Sequence, residues 1–317
     1  MAAQSVTKTK SLYNGNEIPS LGLGTLCMKN EDVLACLSKA IELGYRHFDC
    51  AMGYRNQPAI GEALKSIFLE GKVKRSELFV TSKVWNTYHS YGRAMEAVDS
   101  ILAELQLEYL DLCLIHWPAG YQEGGEKIPK DPVTKDPIPS GVDYLETWRA
   151  LESMQRSGKV RSIGLSNFNE RQIRRVLDHC AIRPNVLQVE MQPYLPQDDL
   201  LTFCNKEGIV MTAYGPLGSP GHLLLEEKPP SLLDQDVVVK VAQKCGRTPA
   251  QVLLRWVLQK GATAICKTST PTRLEENFQI WDFELSTQDM TDIASLGYCN
   301  IRLHPCERDK NHPDYPF

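Results

Sequence analysis

The chain lacks any run approaching the ~18 consecutive apolar residues of a membrane-spanning helix. Its first ten residues, MAAQSVTKTK, have no apolar core, so a secretory signal is not expected. There is no Asn-x-Ser/Thr acceptor and no C-x-x-C pair. The ten cysteines lie inside apolar segments (Cys36, Cys113, Cys266) or near loops (Cys27, Cys299, Cys306), and they read as reduced thiols. Neither they nor the seven histidines cluster at ligand spacing, so no metal is expected. A surplus of one charge is also missing. Thirty-five basic against 39 acidic side chains leave −4, which gives no field to hold nucleic acid or an anionic membrane. With 42% hydrophobic and 23% charged residues, disorder is excluded as well. A cytoplasmic globular protein is the expectation.

What is present is a rhythm. Short apolar runs at 21–25, 46–51, 78–84, 110–117, 160–166, 186–191, 209–214 and 262–267 are each followed by an amphipathic stretch. In the first, Val33, Leu34, Leu37, Ala40 and Ile41 fall at helical spacing. Eight strand–helix units predict a parallel sheet closed into a (β/α)8 barrel, one domain over 1–317. The rival, an open doubly wound sheet, usually carries G-x-G-x-x-G in its first turn, and GLGTLC lacks the third glycine. Residues 8–24 hold a hairpin around Asn14-Gly15-Asn16, expected to plug the barrel bottom, followed by the first strand. Two long Pro/Gly-rich connections, 118–142 and 215–234, follow strands and should lie at the C-terminal face with the C-terminal loop 295–317.

Barrel chemistry sits at that face. Asp49, Lys83 and His116 end neighbouring strands, and Tyr54 follows five residues after Asp49. Each alone has a plain structural use: a turn cap, a packing aromatic, a satisfied core histidine. Lys83 is harder to place, because an ammonium ending an apolar strand needs a partner, and Asp49 offers one. A charged lysine beside a phenol stabilises phenolate and should lower the tyrosine pKa below ~10. That equips Tyr54 to protonate an oxygen near neutral pH, with His116 orienting the substrate. The set holds no nucleophile, no hydrolytic carboxylate pair and no hydride source, so a cofactor must bring the hydride.

GYRHFDCA with Tyr54, FVTSKVW, LCLIHWP, IGLSNF and CKTSTPTRLEENF together resemble the aldo-keto reductase superfamily, in its aldose- and aldehyde-reductase branch. The likeness runs from about residue 8 to the C-terminal NHPDYPF. It implies NADPH bound without a Rossmann fold, hydride transfer to a small aldehyde or ketone, and a monomer. By this resemblance Tyr54 is the general acid, tuned by Lys83 and Asp49. The cofactor would meet Gly24, Thr25 and Asp49. Its carboxamide would meet Ser166, Asn167 and Gln188, its nicotinamide ring Tyr214, and its pyrophosphate Leu217 and Ser219 in a belt over 215–233. Glu276 and Asn277 match positions that contact adenine. For the 2′-phosphate there is also a direct argument: Lys267, Thr268, Ser269, Thr270 and Arg273 gather hydroxyls and two cations at a helix start. The plain alternative there is an N-cap with solvated charges.

The chain departs from the branch pattern at Leu26, where tryptophan is usual, and at Gly53, where a larger side chain is common. Gln57 and Pro58 replace glutamates, and Gly215 replaces a serine. The first two changes suggest a widened pocket, walled by Trp85 and Trp117 and completed by Ile301, His304 and Cys306. Barrels of this family also serve as regulatory or structural proteins, so a cofactor-binding barrel with little turnover is the alternative reading.

Overall fold

The computed structural model describes residues 8–220 and 229–317. Two short strands, β1 (Thr9–Ser11) and β2 (Glu17–Pro19), form the antiparallel hairpin. The barrel strands are β3 (Leu21–Gly24), β4 (His47–Asp49), β5 (Phe79–Val84), β6 (Leu110–Ile115), β7 (Val160–Ser166), β8 (Val186–Glu190), β9 (Val210–Tyr214) and β10 (Thr263–Lys267). All eight are parallel, and β10 pairs with β3 to close the ring. Helices α1 (Asn30–Leu43), α2 (Gln57–Leu69), α3 (Tyr91–Leu105), α4 (Tyr144–Arg156), α5 (Glu170–His179) and α6 (Asp198–Glu207) follow β3 to β8 in turn. Two helices, α7 (Asp236–Cys245) and α8 (Pro249–Gln259), lie between β9 and β10. After β10 come α9 (Pro271–Phe278) and α10 (Thr287–Ala294). The fold is the (β/α)8 barrel that the eight-unit rhythm predicts. Among the described residues no helix is long and apolar enough to cross a membrane.

The hairpin closes the barrel from below. Leu12 and Ile18 are buried against Phe79, Leu112, Leu114 and Val186, which line the lower interior. The Asn14 and Asn16 amides both donate to Arg161 O and Ser162 Oγ, at 3.0–3.3 Å, tying the turn to the start of β7. Helices bury the stripe their periodicity marks, with one difference. On α1 the buried set is Val33, Cys36, Leu37, Ala40 and Ile41, and Leu34 is exposed. Cys36 takes the inward place that spacing alone gave to Leu34. The sequence reading also passed over α10, a short polar helix announced by a capping box in which the Ser286 and Asp289 side chains bond each other's backbone amides. All ten cysteines are free thiols, and five of them are buried.

Candidate active site

Three strand ends and one turn assemble the centre. Asp49 closes β4, and Lys83 is the penultimate residue of β5. Tyr54 ends a 3-10 turn, Met52–Tyr54, that follows β4. His116 lies one residue beyond β6. Lys83 Nζ donates to Asp49 Oδ2 at 2.7 Å, to Cys50 O at 3.0 Å and to Tyr54 OH at 3.3 Å. Both members of the ion pair are buried. The ammonium therefore spends all three protons inside the protein, which is how so polar a group survives there. Asp49 is completed by Gln188 Nε2, which donates to Oδ1 at 2.8 Å. Thr25 donates to Asp49 O through both its amide (3.1 Å) and its hydroxyl (2.9 Å).

The contact between lysine and tyrosine is as expected, but its electrostatic outcome is not. Burial first, and the negative charge of Asp49 second, raise the Tyr54 phenol well above its ordinary value. The carboxylate that pairs with Lys83 thus acts on the phenol against the ammonium. Tyr54 is thus a neutral O–H at physiological pH, a proton donor rather than a partly ionised phenolate. His116 moves the other way. Burial, then the positive charges of Lys83, Lys127 and Arg308, hold its imidazole well below the usual histidine range. The ring is neutral, edge-on to Tyr54 at 5.8 Å and to Trp85 at 5.2 Å. Asn167 Nδ2 donates to its carbonyl at 2.9 Å.

Trp85, Trp117, Ala119 and Tyr121 form a separate apolar cluster above this centre, and Cys306 packs on it. Leu26 is exposed. The space beside Gly53 is taken by Trp85. A Cβ on Gly53 would lie 2.7 Å from Trp85 Cε3, so the indole already fills the space a larger residue would use. Lys127, from the 118–142 connection, clamps that indole. Its carbonyl accepts from Trp85 Nε1 at 2.8 Å, its ammonium lies 5.0 Å over the ring, and the same ammonium bonds Gly53 O. Ile301 packs on the main core, and His304 faces Tyr214 and Ser219.

The expected cofactor face follows the rim. Ser166 and Gln188 are paired across β7 and β8. Asn167, in left-handed conformation, accepts from Tyr214 OH at 2.8 Å, fixing the ring that ends β9. Leu217 is half-buried against the core, and Ser219 bonds His304. Residues 221–228 of the expected belt lie outside the described residues. At the other end, Gly24 and Lys267 are paired, and Lys267, Thr270 and Arg273 are exposed. No side chain caps α9, so its first-turn amides are left without a side-chain acceptor, a fit for a phosphate. Thr268 is buried, its hydroxyl accepting from Thr270 N at 3.1 Å, and Ser269 O accepts from the Cys36 thiol. Glu276 accepts from Thr248 Oγ1 at 2.6 Å, and buried Asn277 bonds Cys266 Sγ.

Sequence reasoning missed Lys127, Arg308 and Glu190. The first two sit in loops with no period to read. Glu190 could have been found: a carboxylate two residues after Gln188 on an apolar strand shares its side of the sheet and demands donors. It has them in Leu303 N and His304 N, each at 2.8 Å.

Comparison with known proteins identifies the family. The model of the Aldo/keto reductase family matches residues 20–297. Aldo-keto reductase family 1 member A1 of Gallus gallus is 42% identical, over 97% of this chain and 96% of that one. The Homo sapiens protein of the same name is 43% identical, over 96% and 97%. The solved aldose reductase of Schistosoma japonicum superposes with a TM-score of 0.90 at 39% identity, covering 99% of both chains. A closed barrel, a buried Lys–Asp–Tyr centre at its mouth and relatives matched end to end lead to one conclusion: the chain belongs to the aldo/keto reductase family, oxidoreductases that reduce carbonyl compounds with NADP(H).

Proposed function

We propose that this protein reduces small aldehydes and ketones to alcohols with NADPH, and that Tyr54 gives the proton to the carbonyl oxygen. The observation that carries the reading is the Tyr54 hydroxyl 3.3 Å from an ammonium that is itself 2.7 Å from a buried carboxylate. NADPH, when bound, supplies the hydride. The protein does the rest. Tyr54 holds a proton at neutral pH because burial and Asp49 keep its phenol protonated. Lys83 stabilises negative charge as it passes from substrate oxygen to tyrosine oxygen. Neutral His116 orients the carbonyl, and Trp85 and Trp117 keep water off it. A phenol that is protonated at rest favours reduction over alcohol oxidation, which needs a base in the same place. Lys267 and Arg273, with the first turn of α9, would hold the 2′-phosphate. Asn167, Ser166 and Gln188 would face the carboxamide, and Tyr214 the nicotinamide ring. The reading places the enzyme in the cytoplasm as a monomer.

Lys127 and Arg308 add positive potential at His116, and Arg55 adds to that of Lys127. Aldehydes bearing a carboxylate are therefore the preferred substrates. The test is NADPH oxidation with 4-carboxybenzaldehyde and 4-nitrobenzaldehyde. The charged aldehyde is expected to have the higher kcat/KM, and Lys127→Met should cut that ratio about tenfold, the scale of one charge-assisted hydrogen bond. No turnover across a broad carbonyl panel, with NADPH bound, would refute the proposed activity.

A further inference from the structure

His304 lies in the C-terminal loop 295–317. Its ring turns toward the cofactor side, where Nε2 and Ser219 Oγ are 2.9 Å apart. The same ring meets Tyr214 edge-on at 5.7 Å. Tyr214 is in turn held by Asn167, whose amide holds the His116 carbonyl. One imidazole thus joins the C-terminal loop to the turn that leaves β9.

Both ends of this contact are prepared. On the C-terminal side, Glu190 is completely buried at the end of β8, and its two carboxylate oxygens accept from Leu303 N and His304 N at 2.8 Å each. Gln192 Nε2 braces the arrangement, donating to Glu190 Oε1 at 3.1 Å and to Ile301 O at 3.2 Å. A charge-assisted pair of bonds to backbone fixes the segment that carries the ring. On the other side, Ser219 takes a left-handed backbone with φ 47°, a conformation that costs energy for a residue with a Cβ. The bond to His304 offsets that cost. Gly215 makes the room. A Cβ there would lie 3.1 Å from Ser219 Oγ and 3.8 Å from His304 Nε2, so a serine at 215 would crowd the pair. The glycine and the Ser219–His304 bond belong to one device.

We propose that His304 is a positioning residue for the cofactor: bonded to Ser219, it fixes the turn Gly215–Ser219 against the barrel rim and sets how fast NADPH leaves. The proposal rests on the NADPH reading above. It assigns to a residue of the substrate-side loop control over cofactor retention, so the two loops release together.

The experiment measures NADPH dissociation by stopped-flow tryptophan fluorescence in the full-length enzyme and in Ser219→Ala, His304→Ala, the double variant and His304→Gln. Each alanine variant should release NADPH roughly 5- to 20-fold faster. The double should be no faster than His304→Ala, because the Ser219 bond is already lost in that single variant. Glutamine, which reaches the same distance with an amide, should return the rate to within about threefold of wild type. Rates within twofold of wild type in both alanine variants, multiplied effects in the double, or a glutamine variant as fast as alanine would each overturn the proposal. Hydrogen exchange of the 217–219 amides in the protein alone gives a readout independent of the cofactor. It should rise in both alanine variants and not in His304→Gln, and unchanged exchange refutes the latch. If wild type binds no NADPH, the functional reading is what fails, and the exchange data still decide the latch.

Discussion

Removing the ammonium of Lys83 should cost stability and catalysis separately, and the two losses can be told apart. In Lys83→Met, Asp49 remains buried and keeps only the Gln188 amide on its side chain, after losing a 2.7 Å ion pair. Stripping one partner from a buried pair costs ~3–5 kcal/mol, because the survivor is an uncompensated charge. That is a large part of the ~5–15 kcal/mol that holds a typical domain folded. Adding Asp49→Asn removes the stranded charge, so the double variant should recover most of the loss and sit within ~2 kcal/mol of wild type. Turnover should stay absent in Lys83→Met and in the double variant, since in both Tyr54 no longer faces an ammonium. Urea unfolding followed by circular dichroism gives the stabilities, and NADPH oxidation gives the activity. A Lys83→Met variant within ~1 kcal/mol of wild type, or a double variant showing the sum of the two single losses, would refute the reasoning about the pair.

Further outcomes follow from other parts of the structure. Arg273→Ala should weaken NADPH by ~1.5–3 kcal/mol and leave NADH nearly unchanged; equal losses in titrations of the two cofactors would remove Arg273 from the 2′-phosphate. Gly53→Val should push the Trp85 indole off its site, since even a Cβ lies 2.7 Å from it, and raise KM for aromatic aldehydes about tenfold; an unchanged KM in steady-state assays would show the wall is elsewhere. Burial pushes His47 down to about 4 and His89 down to about 3, against ~6.5 in the unfolded chain. Between pH 6.5 and those values the unfolded state binds protons that the folded state refuses, so stability falls as pH falls through that window. The urea midpoint should be lower at pH 5 than at pH 7, and His89→Leu should narrow the gap. Equal gaps in wild type and variant would contradict the assignment.

The barrel was legible because its signals are local. Apolar runs such as FVTSKV and LDLCLI occur at strand length, amphipathic stretches follow them, and the GLGTLC turn argues against the open sheet. The centre was legible for a similar reason: a lysine at the end of an apolar strand demands a carboxylate, and Asp49 supplies it at 2.7 Å. What spacing could not give was the net effect of that pair on Tyr54, which depends on burial and on the carboxylate's own charge. Nor could it show that Trp85 fills the room left by Gly53, because two positions distant in sequence meet only in the fold. Lys127 and the contact of His304 with Ser219 escaped for the same reason. Their roles arise where long aperiodic connections cross the barrel mouth, and no pattern in a loop says which residue it will touch.

The proposed reduction depends on the Tyr54 hydroxyl as the source of the proton. Single-turnover reduction of 4-nitrobenzaldehyde by Tyr54→Phe, with NADPH affinity measured alongside, examines this directly. Hydride transfer should slow by at least about a hundredfold, in line with loss of a positioned general acid, while NADPH binds within about threefold of wild type. A phenylalanine variant that transfers hydride within tenfold of the wild-type rate would mean that the proton comes from another group.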